Sequence, residues 1–190
     1  MPMMSFRPAL TFRGRRARGL RGWAGKPLHP PLTDIPIAAY LLTAVFDLIS
    51  FVGRDQGWSR DFYRAATFTL IGGAVVSLLT ALTGFMDWRT TERGSQVRRT
   101  ANAHAWTMIT VTLLVLTNIA VRFFVDWDAV SAPGYVLGLS AVAALLTGLG
   151  SALGGSLVYD YGFNVENSTD QPVWHPSETD LLPGDRRKSA

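Results

Sequence analysis

Apolar and polar residues alternate along this chain in long blocks, not residue by residue. Four apolar runs stand out, Ile35–Val52, Ala65–Met86, Ala105–Val125 and Tyr135–Val158. Each is long enough, or nearly so, to cross about 30 Å of hydrocarbon as a helix. The second and fourth contain no ionisable residue. The pattern predicts an all-α integral membrane four-helix bundle, with spans at about 33–52, 64–86, 103–125 and 135–158 inside a transmembrane domain of residues 29–162. Residues 1–28 read as a basic, disordered cytoplasmic arm, and 163–190 as a polar cytoplasmic tail in which His175 is an ordinary tail histidine.

Small residues recur every four positions in two of the runs. Ala65, Thr69, Gly73, Ser77 and Ala81 mark the second, and Ser140, Ala144, Gly148, Ala152 and Ser156 the fourth. Lipid gives helices little hydrophobic reason to associate, so such stripes are expected as packing seams where backbones approach closely. The two stripes are 75 residues apart, and so are several polar residues described below, which predicts two related helical hairpins. Trp58, Trp88, Trp106 and Trp127 fall at span ends, where an interfacial aromatic belt is expected.

Composition agrees with a membrane protein, at 48% hydrophobic and 17% charged residues. Of the 18 Lys and Arg residues, seven precede the first span, four follow the second (Arg89, Arg93, Arg98, Arg99) and three end the chain. The positive-inside rule makes that face cytoplasmic, with both termini inside a bacterial plasma membrane. Arg15-Arg16 is not followed closely by the apolar run of a signal peptide. The arm is expected to lie on anionic head groups; no regular aromatic interleaving points to nucleic acid. The absence of cysteine excludes disulfides, thiolate metal sites, iron–sulfur ligation and a cysteine nucleophile within these residues.

The candidate chemistry lies in the polar residues that interrupt the first and third runs. His29 and Asp47 are 18 residues apart, as are His104 and Arg122. Eighteen steps of about 100° make five helical turns, so each pair shares a helix face some 27 Å apart along the axis. Spans one and three run in the same direction, which brings the histidines to one level at the cytoplasmic end and Asp47 level with Arg122 at the other. A charge within a span costs roughly 2.5–3.5 kcal/mol on insertion scales, so Asp47 and Arg122 are expected to form a structural ion pair. The alternative has Arg122 snorkelling outward while Asp47 finds water or hydroxyls.

The histidines admit three readings. His29 and His104 could be axial ligands of one haem b between spans one and three. They could join Asp87 or Asp160 in a transition-metal site of nitrogen and oxygen ligands. Or they could cap helix ends and bind Asp87 or head groups in a non-catalytic scaffold or assembly partner. Pro30 and Pro31 beside His29 leave a porphyrin little wall on one side. No Gly-x-Ser-x-Gly elbow or phosphate-cradling glycine loop is present, so catalytic residues are unassigned. Four short spans with one buried ion pair make a poor carrier. The partners implied are the bilayer, and a redox protein or further copies of this chain.

Several segments together carry a family resemblance. They are Gly25-Lys26-Pro27-Leu28-His29-Pro30, Thr33-Asp34-Ile35-Pro36-Ile37, Thr83-Gly84-Phe85-Met86-Asp87-Trp88, His104, Gly154-Gly155-Ser156-Leu157-Val158-Tyr159 and Tyr161-Gly162-Phe163-Asn164-Val165. Over roughly residues 25–165 the chain resembles the bacterial membrane family catalogued as domain of unknown function 2231. The resemblance implies four spans and marks His29, Asp87, His104 and Gly154–Gly155 as matching the family pattern. Some members are joined to a Rieske-type iron–sulfur domain, which implies electron transfer; here such a centre would have to come from a separate protein.

Overall fold

The computed structural model describes residues 19–20 and 27–165. The expectations for the basic arm and the polar tail, His175 included, fall almost wholly outside the described residues. Among the described residues the chain forms four α-helices and no strand. They are α1 (His29–Val52), α2 (Ser59–Arg89), α3 (Gln96–Phe124) and α4 (Gly134–Tyr159), each long and apolar enough to cross a bilayer. The helices outrun the apolar runs because hydropathy registers only the part in hydrocarbon. α2, at 31 residues, is about 46 Å long and extends past a 30 Å core at both ends.

α1 starts at His29, earlier than the expected position 33. Pro30 and Pro31 occupy its first turn, where a missing N–H costs nothing. Pro36 lies inside the helix and leaves the carbonyl of Leu32, four residues back, without its intrahelical donor. The Thr80 hydroxyl of α2 reaches it at 3.3 Å, sharing its hydrogen with Val76 O at 3.1 Å. α3 opens on Ser95, whose hydroxyl accepts the Arg98 N–H at 3.1 Å, an N-cap bond.

The helices form a square ring in chain order. α1 packs most closely on α2 and α3 on α4, while α2 and α3 form the loosest neighbouring pair. α1 and α3 face each other across one diagonal, α2 and α4 across the other, with no backbone contact on either diagonal. Ala39, Tyr40, Leu70, Val111, Val115 and Ala143 fill the middle. Tyr63, Ala132 and Val136 close the Asp47 end. There Ser50 and Ser59 exchange hydroxyl-to-carbonyl bonds at 2.8 and 2.7 Å, and Ser50 Oγ accepts the Ala132 N–H, tying two loops to the end of α1.

The partition of side chains is inverted relative to a protein in water. Leu41, Leu42, Val45, Leu48, Phe68, Leu78 and Leu82 are exposed, while Thr43, Asp47, Asn118, Arg122, Ser140 and Thr147 are buried. This is the arrangement expected when the solvent is hydrocarbon.

The small-residue stripes are a partial correction. Gly73 is buried against Ala39 and Tyr40, where a Cβ would come within 2.6 Å of the Ala39 Cβ. Ala81 and Ala152, by contrast, are exposed, and Gly148 faces open space. A four-residue step turns a helix by about 400°, so the stripe drifts some 40° per step and leaves the contact face within three steps. The buried line of α4 is Val136, Ser140, Ala143, Ala144, Thr147 and Gly150 instead.

Candidate functional site

Both polar pairs singled out in the sequence meet across the α1–α3 diagonal, at opposite ends of the bundle. At one end the rings of His29 and His104 lie 6.3 Å apart, centre to centre, with their planes at 82°. Each Nδ1 is held by a backbone carbonyl of the next helix in its hairpin. His29 Nδ1 donates to Thr80 O at 3.0 Å, and His104 Nδ1 donates to Gly150 O at 2.8 Å. A carbonyl only accepts, so both rings carry their proton on Nδ1 and present a lone pair at Nε2. Neither Nε2 has a hydrogen-bond partner among the described residues. Thr83 Oγ1, 3.3 Å from His29 Nδ1, adds a second contact.

Local sequence makes this fit possible. A Cβ on Gly84 would come within 2.7 Å of His29 Cε1, and one on Gly154 within 3.3 Å of His104 Cε1. Thr80, the acceptor for His29, is also the donor to the carbonyl that Pro36 frees, so one threonine fixes both the start of α1 and its histidine. The two hairpins use equivalent groups, but not at one offset. His29 and His104 are 75 residues apart, whereas Thr80 and Gly150, and likewise Gly84 and Gly154, are 70 apart. The stripe-to-stripe match at 75 is therefore not the structural correspondence between α2 and α4.

Asp87 is buried near the end of α2, against Gly19, and Asp160 is the exposed C-cap of α4. Among the described residues, no three His, Asp or Glu side chains come together in a group able to hold a metal ion. Two imidazoles alone leave a zinc-type site two ligands short. They are the full protein complement for a cofactor that brings its own in-plane ligands.

At the other end, the Asp47 carboxylate accepts from Arg122 and from Ser140 through one oxygen, and both charged side chains are fully buried. Arg122 Nε donates to Asn118 Oδ1 at 2.8 Å, and Nη1 to Thr67 Oγ1 at 2.9 Å and Tyr63 O at 3.4 Å. Asn118 Nδ2 donates to Ser140 Oγ at 2.8 Å, and the guanidinium lies 4.9 Å from the centre of the Tyr63 ring. All four helices contribute to this network. Sequence reasoning gave Asn118 and Thr67 no role, and Ser140 only a place in a packing stripe. Asn118 carries a usable signal, as an amide in an apolar run one turn before Arg122; Thr67 carries none.

Two cavities lie away from the histidines. One, of about 240 Å³, is lined by Tyr63, Arg64, Thr67, Phe68, Arg122 and Trp127. The other, of about 370 Å³, is lined by Gly19, Leu20, Met86, Arg89 and Thr90.

Comparison with known protein families gives a match. A family model described as "Predicted membrane protein (DUF2231)" covers residues 25–167, three quarters of the chain, including both histidines and both members of the ion pair. No curated protein and no solved structure matches. With its four membrane-length helices and that match, the chain belongs to the DUF2231 family of predicted membrane proteins.

Proposed function

We propose that this is an electron-transfer protein of the bacterial plasma membrane that holds one haem b between His29 and His104. The observation that carries the reading is the matched pair of anchored imidazoles. Donation of one ring N–H to a carbonyl, which fixes the tautomer and frees the other nitrogen, is the usual support of a ligating histidine. With their ring centres 6.3 Å apart, His29 and His104 are the residues that would hold the group. Gly84, Thr80 and Thr83 of α2 lie beside the His29 ring, and Gly150 and Gly154 of α4 beside that of His104. When bound, haem supplies the one-electron chemistry; the protein's part is to hold and orient it and to exclude water. The basic residues near the histidine end orient that end, and both termini, toward the cytoplasm. A redox protein or a second copy of the chain would be the electron partner.

The test is an absorption spectrum of detergent-purified protein, oxidised and then dithionite-reduced, with elemental analysis on the same sample. A Soret band with sharp reduced α and β bands is expected, and both should vanish in His29→Ala and in His104→Ala. Unchanged spectra in both variants would overturn the assignment. The rival is a non-catalytic scaffold in which each histidine only braces its own hairpin, a reading favoured by the bond each ring makes to a carbonyl within its own hairpin. It predicts colourless, metal-free protein after haem supplementation.

A further inference from the structure

The loosest side of the bundle, between α2 and α3, carries a cleft at the Asp47 end. Its floor is Tyr63, Thr67 and Arg122, all buried, and its rim is Arg64, Phe68 and Trp127, all exposed. The floor has no hydrogen to spare. Thr67 Oγ1 donates to Tyr63 O at 2.8 Å and the Tyr63 hydroxyl to Asp126 O at 3.3 Å. Arg122 gives its N–H groups to Asn118, Thr67, Tyr63 O and Asp47. The rim differs. The Arg64 side chain makes no ion pair and no hydrogen bond among the described residues, Asp61 on the preceding turn included. Other charges at this end are engaged. Arg60 lies 3.6 Å from Asp128, Asp126 accepts the Tyr135 hydroxyl at 2.7 and 2.8 Å, and Asp47 is held by Arg122.

Depth sets what such a cleft can take. Arg64 is the last charge before the apolar run 65–86, at the level of the head groups. Phe68 is one turn, about 6 Å, further into the hydrocarbon on the same face of α2. Trp127, just past the end of α3, is braced by a stack on Phe123 with ring centres 5.0 Å apart. A ligand that buried a polar group here would meet a floor whose donors are committed, and that group would go unpaired. A ligand with its anion at the rim and its apolar part inside leaves nothing unpaired. The anion meets the Arg64 guanidinium, and the chain lies against Phe68, Trp127 and the Tyr63 ring, adding contacts along a seam that the helices fill poorly. We propose that this cleft binds an anionic phospholipid of the leaflet at the Asp47 end, with its phosphate on Arg64 and an acyl chain between α2 and α3. The site is separate from the histidines and does not depend on the haem reading.

The test is native mass spectrometry of the full chain released from detergent micelles, titrated with phosphatidylglycerol and with phosphatidylcholine of the same acyl chains. Wild type should take up one phosphatidylglycerol roughly tenfold more tightly than phosphatidylcholine, whose own choline competes with Arg64 for the phosphate. Arg64 is exposed and unpaired, so Arg64→Gln leaves the fold intact and should lose that preference. Arg60→Gln should keep it, because Arg60 lies outside the cleft and faces Asp128. Glycerol 1-phosphate, which has the anion without the chains, should not displace the lipid. A wild type without the preference overturns the proposal. So does an equal loss in Arg60→Gln and Arg64→Gln, the mark of diffuse surface charge. Displacement by glycerol 1-phosphate would make the cleft a soluble-anion site and overturn it. Displacement by a short-chain quinone, equally strong in wild type and Arg64→Gln, would assign the cleft to a neutral head group and overturn it as well.

Discussion

The most consequential single residues are those whose charge or lone pair is kept from water. Asp47 and Arg122 are fully buried, and each is the other's charge partner. Removing one partner of such a pair leaves an uncompensated charge, so Asp47→Ala should destabilise the bundle by about 3–5 kcal/mol, read as a lower unfolding temperature in detergent. A double variant that also replaces Arg122 by Met should recover much of that loss. An Asp47→Ala protein as stable as wild type would remove the pair from the account of stability. Thr80 gives a finer test. Thr80→Val keeps the carbonyl that anchors His29 and deletes the donor to Leu32 O. It should cost about 1–2 kcal/mol with cofactor content intact. At this scale the sequence was informative where spacing is rigid: two pairs, each 18 residues apart, come level because helices keep their period. It was silent where a partner depends on which helix stands alongside, as with Thr67 and Thr80.

At the scale of the helices, glycine matters by address and not by spacing. Gly84 accommodates the His29 ring, whereas Gly148 faces open space. Gly84→Ala should therefore push the imidazole off its carbonyl and lower cofactor content. Gly148→Ala meets nothing, and should leave the spectrum unchanged while adding roughly 0.5–1 kcal/mol of helix stability. Equal spectra in both variants would show that the ring needs no such space. The four-residue stripes could not make this distinction, because a stripe that drifts about 40° per step stays on the contact face for only some of its members, such as Gly73, Ser140 and Ala144, and turns others outward. Pro36 shows the converse. Its break in the α1 hydrogen-bond ladder is plain in the sequence, but its remedy on α2 is visible only once α1 and α2 are side by side.

The whole molecule is a bundle in which the Asp47–Arg122 ion pair and the facing rings of His29 and His104 both cross the diagonal that the backbones leave open. Four spans, their order and the two polar levels were legible from blocks of hydropathy and helical period. The ring order, and the loose α2–α3 side bearing a cavity at the Asp47 end, were not, because every helix is apolar on its lipid side and hydropathy alone names no neighbour. Orientation is tested cleanly in a chain without cysteine. Gln56→Cys, in the exposed α1–α2 loop, should label with a membrane-impermeant maleimide from outside intact cells. Glu92→Cys, in the exposed α2–α3 loop, should label only after permeabilisation, and the reverse pattern would invert the topology.

The proposed haem would be held by two imidazoles, those of His29 and His104. The electron paramagnetic resonance spectrum of oxidised, haem-loaded protein reads that ligation directly. A six-coordinate low-spin ferric signal is expected in wild type, becoming high-spin when either His29 or His104 is replaced by Gly. A wild type with only high-spin iron, or one whose low-spin signal survives loss of either histidine, would contradict it.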